Sequence, residues 1–201
     1  MKFVISSSRI LAFSFIMALS VTMISCSKDD MNVQKVESKS NVEIAGRRGA
    51  PAPGSNSIAQ IAINAGFSEL VAALTYVDGE LNTGLVNLFL NGKDHYTVFA
   101  PTNAAFQNLY TALNITKISD LPAPLVKDVL LYHVVEGRRA SNSVLPKSGE
   151  KTITTLLNAN FTVNAQGKIT AIGNTANIVT ANISASNGII HVIDAVILPI
   201  K

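Results

Sequence analysis

The spacing of hydrophobic and polar positions changes character along the chain. In "SIAQIAINAG", Ser57 to Gly66, apolar residues recur at helical spacing and the run stops at a glycine placed to cap it. "FSELVAALTYV" and "LNTGLVNLFLNG" are two further amphipathic runs, separated near Asp78-Gly79, and the second stops at Asn91-Gly92. "YTVFAPTNAAF", Tyr96 to Phe106, switches pattern in its middle. A strand-like run ends at Pro101, the polar pair Thr102-Asn103 turns the chain, and a helix-like run begins. "LPAPLVKDVLLYHVV" predicts a helix from about Pro124, with proline in its first turn, passing into strand near His133.

Beyond this point the pattern becomes strand-like. "KTITTL" is a short strand, and "NFTVNAQGKITAIG" is two alternating runs around Gln166-Gly167, a hairpin signal. "ANIVTANI" and "GIIHVIDAVILP" flank the turn "SASNG", with Pro199 ending the last strand. That last strand has Ile189, His191, Ile193, Ala195 and Ile197 on one face and Ile190, Val192, Asp194, Val196 and Leu198 on the other. Both faces are apolar, which predicts a central strand covered on both sides. Helices first and strands later, with one alternating pair, predict an α+β domain over residues 58–201. Its length is enough for one sizeable core.

The chain ahead of this domain reads differently. Lys2 and Arg9 precede "ILAFSFIMALSVTMI", about 15 apolar-rich residues that end at Ser25-Cys26. This is the layout of a signal peptide over residues 1–25, too short for the roughly 20 residues that span a bilayer. Cys26 is the only cysteine, so no intrachain disulfide can form. Its context, "MISC", resembles a bacterial lipobox, which implies lipidation of Cys26 with acyl chains such as palmitate. More than one chain anchors stably, since each buried methylene adds about 0.8 kcal/mol. Lys28, Asp29 and Asp30 follow and resemble the short acidic signal that exports lipoproteins to the outer face of some Gram-negative outer membranes. Residues 26–57 hold no aromatic residue and are rich in polar, Gly and Pro positions, the composition of a tether.

Charge removes one class of function. Loss of the first 25 residues removes Lys2 and Arg9 and no acid, leaving 14 basic and 13 acidic residues and a formal net charge of +1. Arg47-Arg48 and Arg138-Arg139 are only pairs, so no basic stripe faces nucleic acid. Catalytic signals are equally thin. The Thr102-Asn103 turn has no Ser or Cys nucleophile and no glycine for close ligand approach. Thr102 is instead an N-cap candidate whose hydroxyl faces the amides of Ala104 or Ala105. His95, His133 and His191 are scattered without metal-ligand spacing, and His191 in an apolar strand reads as a core histidine. A triad of Ser141, His133 and Asp194 can be written down, but no nucleophile elbow or oxyanion hole accompanies it. We therefore expect no catalytic residue, metal or cofactor.

Taken in order and at this spacing, "YTVFAPTNAAF", "LLYHVVEGR" and "SNGIIHVIDAVILP" resemble the fasciclin-like domain, over about residues 58–199. The stretch between Leu81 and His95 is longer than the usual connection of that family. The resemblance implies a wedge-like β-sandwich with an N-terminal helical subdomain, and adhesion rather than an established enzymatic mechanism. It also implies that the two motif strands lie together. Asp194, a carboxylate on an apolar face, would then accept hydrogen bonds from Thr102 or Asn103. Tyr132-His133 is similar to a tyrosine–histidine motif tied to integrin binding in animal relatives, while its flanking Leu130, Leu131, Val134 and Val135 point to burial. The expected function is a lipid-anchored, cell-surface adhesion or ligand-binding module of the outer membrane, contacting an extracellular protein, matrix or glycan. An accessory subunit of an outer-membrane uptake assembly is the alternative, and a hydrolase ranks last.

Overall fold

The computed structural model describes residues 51–200. The expected signal peptide, Cys26 and the Lys28, Asp29 and Asp30 signal lie outside the described residues. Three helices open the fold: α1 (Ile58–Asn64), α2 (Ser68–Leu81) and α3 (Leu85–Asn91). Strand β1 (Tyr96–Pro101) and helix α4 (Asn103–Leu113) follow. After a 3-10 turn at Ile118–Asp120 come α5 (Ala123–Tyr132), β2 (Val134–Glu136) and the single turn α6 (Ser141–Val144). The rest is β3 (Glu150–Thr154), β4 (Asn160–Asn164), β5 (Lys168–Thr170), β6 (Thr175–Ala185) and β7 (Gly188–Ile193).

Local chemistry sets these boundaries. Ser57 and Gln60 form a capping box at the start of α1, and Gly66 follows its end at φ +77°. The break expected at Asp78-Gly79 is not there. Helix α2 runs through both residues, because Leu70, Ala73, Leu74 and Val77 bury one continuous face. It stops at left-handed Asn82. The Asp78 carboxylate reaches forward and accepts from the amides of Leu85 (2.9 Å) and Val86 (2.8 Å) and from the Thr83 hydroxyl. It thus caps α3, which fills the long stretch between Leu81 and His95. Burial opposes its ionisation, but these hydrogen bonds prevail and hold the carboxyl below its usual range.

The seven strands make one hydrogen-bonded run in the order β2-β1-β7-β6-β5-β4-β3. Only β1 and β7 pair in parallel, from Tyr96↔Gly188 to Pro101↔Ile193. Gly188 opens β7 because a Cβ there would collide with the Tyr96 carbonyl. Every residue of β7 is buried, as a central strand requires. The strand ends at Ile193 rather than near Pro199. From there the chain bends and the Asn174 carboxamide takes over, donating to the Val196 carbonyl (2.7 Å) and accepting from the Leu198 amide (3.0 Å).

Two register shifts in β6, between Ile178 and Thr180 and between Thr180 and Ile183, bend the sheet. Its two ends then face each other. Phe99 of β1 meets Phe161 of β4 edge-on at 5.1 Å, and the Leu156 amide donates to the Val134 carbonyl. Between the layers lies one core, with Phe99, Tyr132, Val144, Ile153, Phe161, Val163, Ile169, Ile193 and Ile197. The other face of β1 and β7 carries a second core against the helices, including Leu70, Ala73, Phe106, Val126, Leu130, Ile190 and Val192. The fold is therefore α+β, a seven-stranded wedge or sandwich with helices at its N-terminal end.

Candidate functional site

The turn that carried the family resemblance is a junction of helices. Thr102 is the N-cap of α4, its hydroxyl accepting from the Ala105 amide (3.2 Å). Asn103 reaches sideways: its Oδ1 accepts from the Glu69 amide (3.2 Å) and its Nδ2 donates to the Gly66 carbonyl (2.9 Å). Helix α2 lacks a cap of its own, since Phe67 offers no polar side chain, so Asn103 caps it from the next corner. The Tyr110 hydroxyl closes the junction by donating to Glu69 Oε2 (2.7 Å). Asp194 takes no part. Its carboxylate accepts from the amide (2.7 Å) and Nδ2 (2.9 Å) of Asn177 on β6, near the surface. The bend after Ile193 turns it away from the corner. What joins the two motif strands there is main chain, the Thr102 amide donating to the Ile193 carbonyl (3.1 Å).

Tyr132 and His133 lie inside the fold, 0% and 3% exposed, so in this fold neither is displayed to a partner. The Tyr132 hydroxyl donates to the Asn160 carbonyl (2.7 Å). His133 Nδ1 donates to the Val129 carbonyl (2.7 Å) and Nε2 accepts from the Ile197 amide (3.0 Å), which selects one neutral tautomer. Burial pulls its pKa down to about 4 against the opposing hydrogen bond to Val129. His191 is wired the other way round. Its Nε2 donates to the Arg139 carbonyl (3.0 Å), and its Nδ1 faces the Asn182 amide (3.4 Å). Burial lowers its pKa too.

Ser141, His133 and Asp194 are not brought together, since each is engaged elsewhere: the Ser141 hydroxyl accepts from Asn182 Nδ2 (2.7 Å). Among the described residues, no three His, Cys, Asp or Glu side chains converge to hold a metal ion. Nor is any described helix long and apolar enough to cross a membrane.

Sequence reading missed three features. Asn187 accepts from the Ile58 amide (2.9 Å) and donates to the Phe89 carbonyl (3.0 Å), pinning α1 and α3 to the β6–β7 turn. The Arg138 guanidinium donates to the carbonyls of Ala185 (2.8 Å), Pro51 (2.9 Å) and Ala52 (3.2 Å), and the Asn56 carbonyl accepts from the Ser186 amide (2.8 Å). Residues 51–57, within the stretch read as tether, are thus tied to the domain. The third is a rank of side chains on the outer face of the sandwich. Thr152 pairs with Thr162, Thr162 with Thr170 and Thr170 with Thr175, four threonines abreast on β3 to β6. Adjacent strands lie about 4.8 Å apart, so the rank is regular. Asn164, Lys168 and Asn177 flank it on the same face. Threonine at alternate positions of successive short strands was the available signal.

The Fasciclin domain model matches residues 65–199. The chain is 40% identical over 141 residues to protein sll1483 of Synechocystis, covering 68% of this chain and 69% of that one. It is 37% identical over 133 residues to the immunogenic protein MPT70 of Mycobacterium tuberculosis, with coverages of 65% and 64%. To the cell surface glycolipoprotein MPB83 of Mycobacterium bovis it is 36% identical over 135 residues, with coverages of 66% and 56%. The chain thus spans less than two thirds of the length of these mycobacterial relatives. A solved FAS1 domain pair from the insect cell adhesion molecule fasciclin I aligns with a TM-score of 0.47 at 15% identity, over 65% of this chain and 45% of that one.

Proposed function

The chain belongs to the fasciclin domain family, and from that premise we propose that it works as a non-catalytic adhesion or ligand-binding module, displayed at an outer-membrane surface through lipid on Cys26. The observation that carries this reading is where polar chemistry sits. His133, His191, Tyr132 and Asn187 are buried, and all four bind main-chain atoms. No buried polar side-chain atom among the described residues lacks a partner. A catalytic group needs a free face toward its substrate, and these have none. What remains for a partner is the outer surface, where the threonine rank offers hydroxyls on a sheet face flanked by Lys168 and Glu150. The name of the relative MPB83, a cell surface glycolipoprotein, supports display at a surface.

Protease shaving of intact cells tests display. Release of the domain is expected, and full protection excludes an adhesin on the outer face. Attachment of cells carrying Thr162→Lys with Thr170→Lys tests the face. These changes leave the inward Val163 and Ile169 untouched, so the fold should persist while attachment falls. A membrane complex retained at fixed stoichiometry in mild detergent would instead identify an accessory subunit of an uptake assembly.

A further inference from the structure

We propose that the cavity enclosed by α2, α4, α5 and the C-terminal segment binds a single unbranched hydrocarbon chain, such as the tail of a fatty acyl group. The cavity holds about 150 Å³ and its lining is apolar, with His133 the one polar side chain. Both ring nitrogens of His133 are occupied by Val129 and Ile197, so no polar atom is offered to an occupant. Water needs two to four polar partners and would find none here, so the space stays dry. A void of this size left empty weakens a fold, whereas a dry cavity of about this volume accepts a six-carbon hydrocarbon.

The mouth argues for a chain over a compact ring. Apolar surface continues outward past half-buried Leu109 and Leu125 to Leu113 and Ile200, which are 47% and 51% exposed. A ring would fill the interior and leave this surface wet. A chain longer than the cavity covers both, with its polar end in solvent. The inference stands apart from the adhesion reading, because it uses the helical end of the domain and not the outer face of the sandwich.

The test is a titration of the full chain carrying Cys26→Ser with straight 1-alkanols of graded length, followed by calorimetry and thermal unfolding. Saturable one-to-one binding is expected. It should tighten about fourfold per added methylene until about six carbons are inside, then more gently. Absence of saturable binding, or binding of benzene but not of hexanol, overturns the proposal. Ala73→Leu and Val129→Phe each push carbon into the space, and each should weaken hexanol binding more than tenfold while unfolding stays cooperative. Unchanged hexanol binding in a folded filling variant also overturns it. Repeating the titration on protein extracted from membranes with its native N-terminus separates two sources of the chain. Loss of alkanol binding there marks the protein's own anchor as the occupant, and retained binding marks a lipid from elsewhere.

Discussion

His133 makes the stability of this domain depend on pH in a defined window. Its ring is held neutral between the Val129 carbonyl and the Ile197 amide, and burial sets its pKa at about 4 against an unfolded value of 6.5. The folded state therefore binds fewer protons than the unfolded state between these values. The stabilisation is fully present above about pH 6.5 and is lost as pH falls toward 4. Linkage puts the loss from this one group between pH 7.5 and 5 at about 2 kcal/mol, or roughly 6 °C in Tm for a domain of this size. His191 shifts in the same direction and adds to the slope. Asp78 is held below its usual range, so its contribution also fades with acid, but mainly below about pH 4. Urea denaturation at pH 7.5, 6.5, 5.5 and 5.0 reads the effect. His133→Leu should be less stable at every pH, because it orphans the Ile197 amide, yet its slope should be shallower by about 2 kcal/mol over the range. A wild-type stability that stays flat from pH 7.5 to 5, or a His133→Leu slope equal to the wild-type one, would refute this reasoning.

Three further outcomes follow from the same wiring. Asn103→Ala removes the cap that α2 borrows, and should cost about 1–2 kcal/mol in chemical denaturation, at least as much as Thr102→Ala; a neutral result would mean that water replaces it. Asp78→Ala leaves the start of α3 uncapped and should lower stability by about 1–2 kcal/mol, with faster amide exchange at Leu85 and Val86 as the local signature. Asp194→Ala removes only the near-surface bonds to Asn177 and should cost less than about 1 kcal/mol; a loss of about 3 kcal/mol would restore the carboxylate to the Thr102-Asn103 corner.

What the sequence made legible was whatever a local period carries. The two apolar faces of Ile189 to Ile193 identified a central strand, and Thr102 declared itself a cap because its target amide is three residues away. Longer reaches left no such trace. Asp78-Gly79 reads as a break only if the carboxylate turns back on its own chain, and here it reaches seven and eight residues ahead. Strand alternation, continued past Ile193, placed Asp194 on the helix-facing side with Val192. The chain bends at that point, so the misjudged strand end carried directly into a misassigned partner. Asn103 finds Glu69 across 34 positions, and no spacing rule announces such a pair.

Three long reaches share one chemistry, a neutral side chain bound to main chain, and they share a location. Asn103 to Glu69, Asn187 to Ile58 and Phe89, and His133 to Ile197 all join the helices to one another or to the β1–β7 end of the sheet. The ties of Asn187 and His133 are buried and costly to break, because an unpaired amide or carbonyl would stay behind in a dry environment. The outer strands are held differently. β3, β4 and β5 pair with sequence neighbours, and their inward residues Ile153, Phe161, Val163 and Ile169 supply the packing. Their outward residues touch solvent and enter none of the ties above. A change at Thr162 or Thr170 therefore meets little resistance from the fold, whereas a change at Asn103, Asn187 or His133 meets a great deal. Such a division suits the adhesion reading proposed above, since the proposed contact face can vary while the frame that holds it cannot.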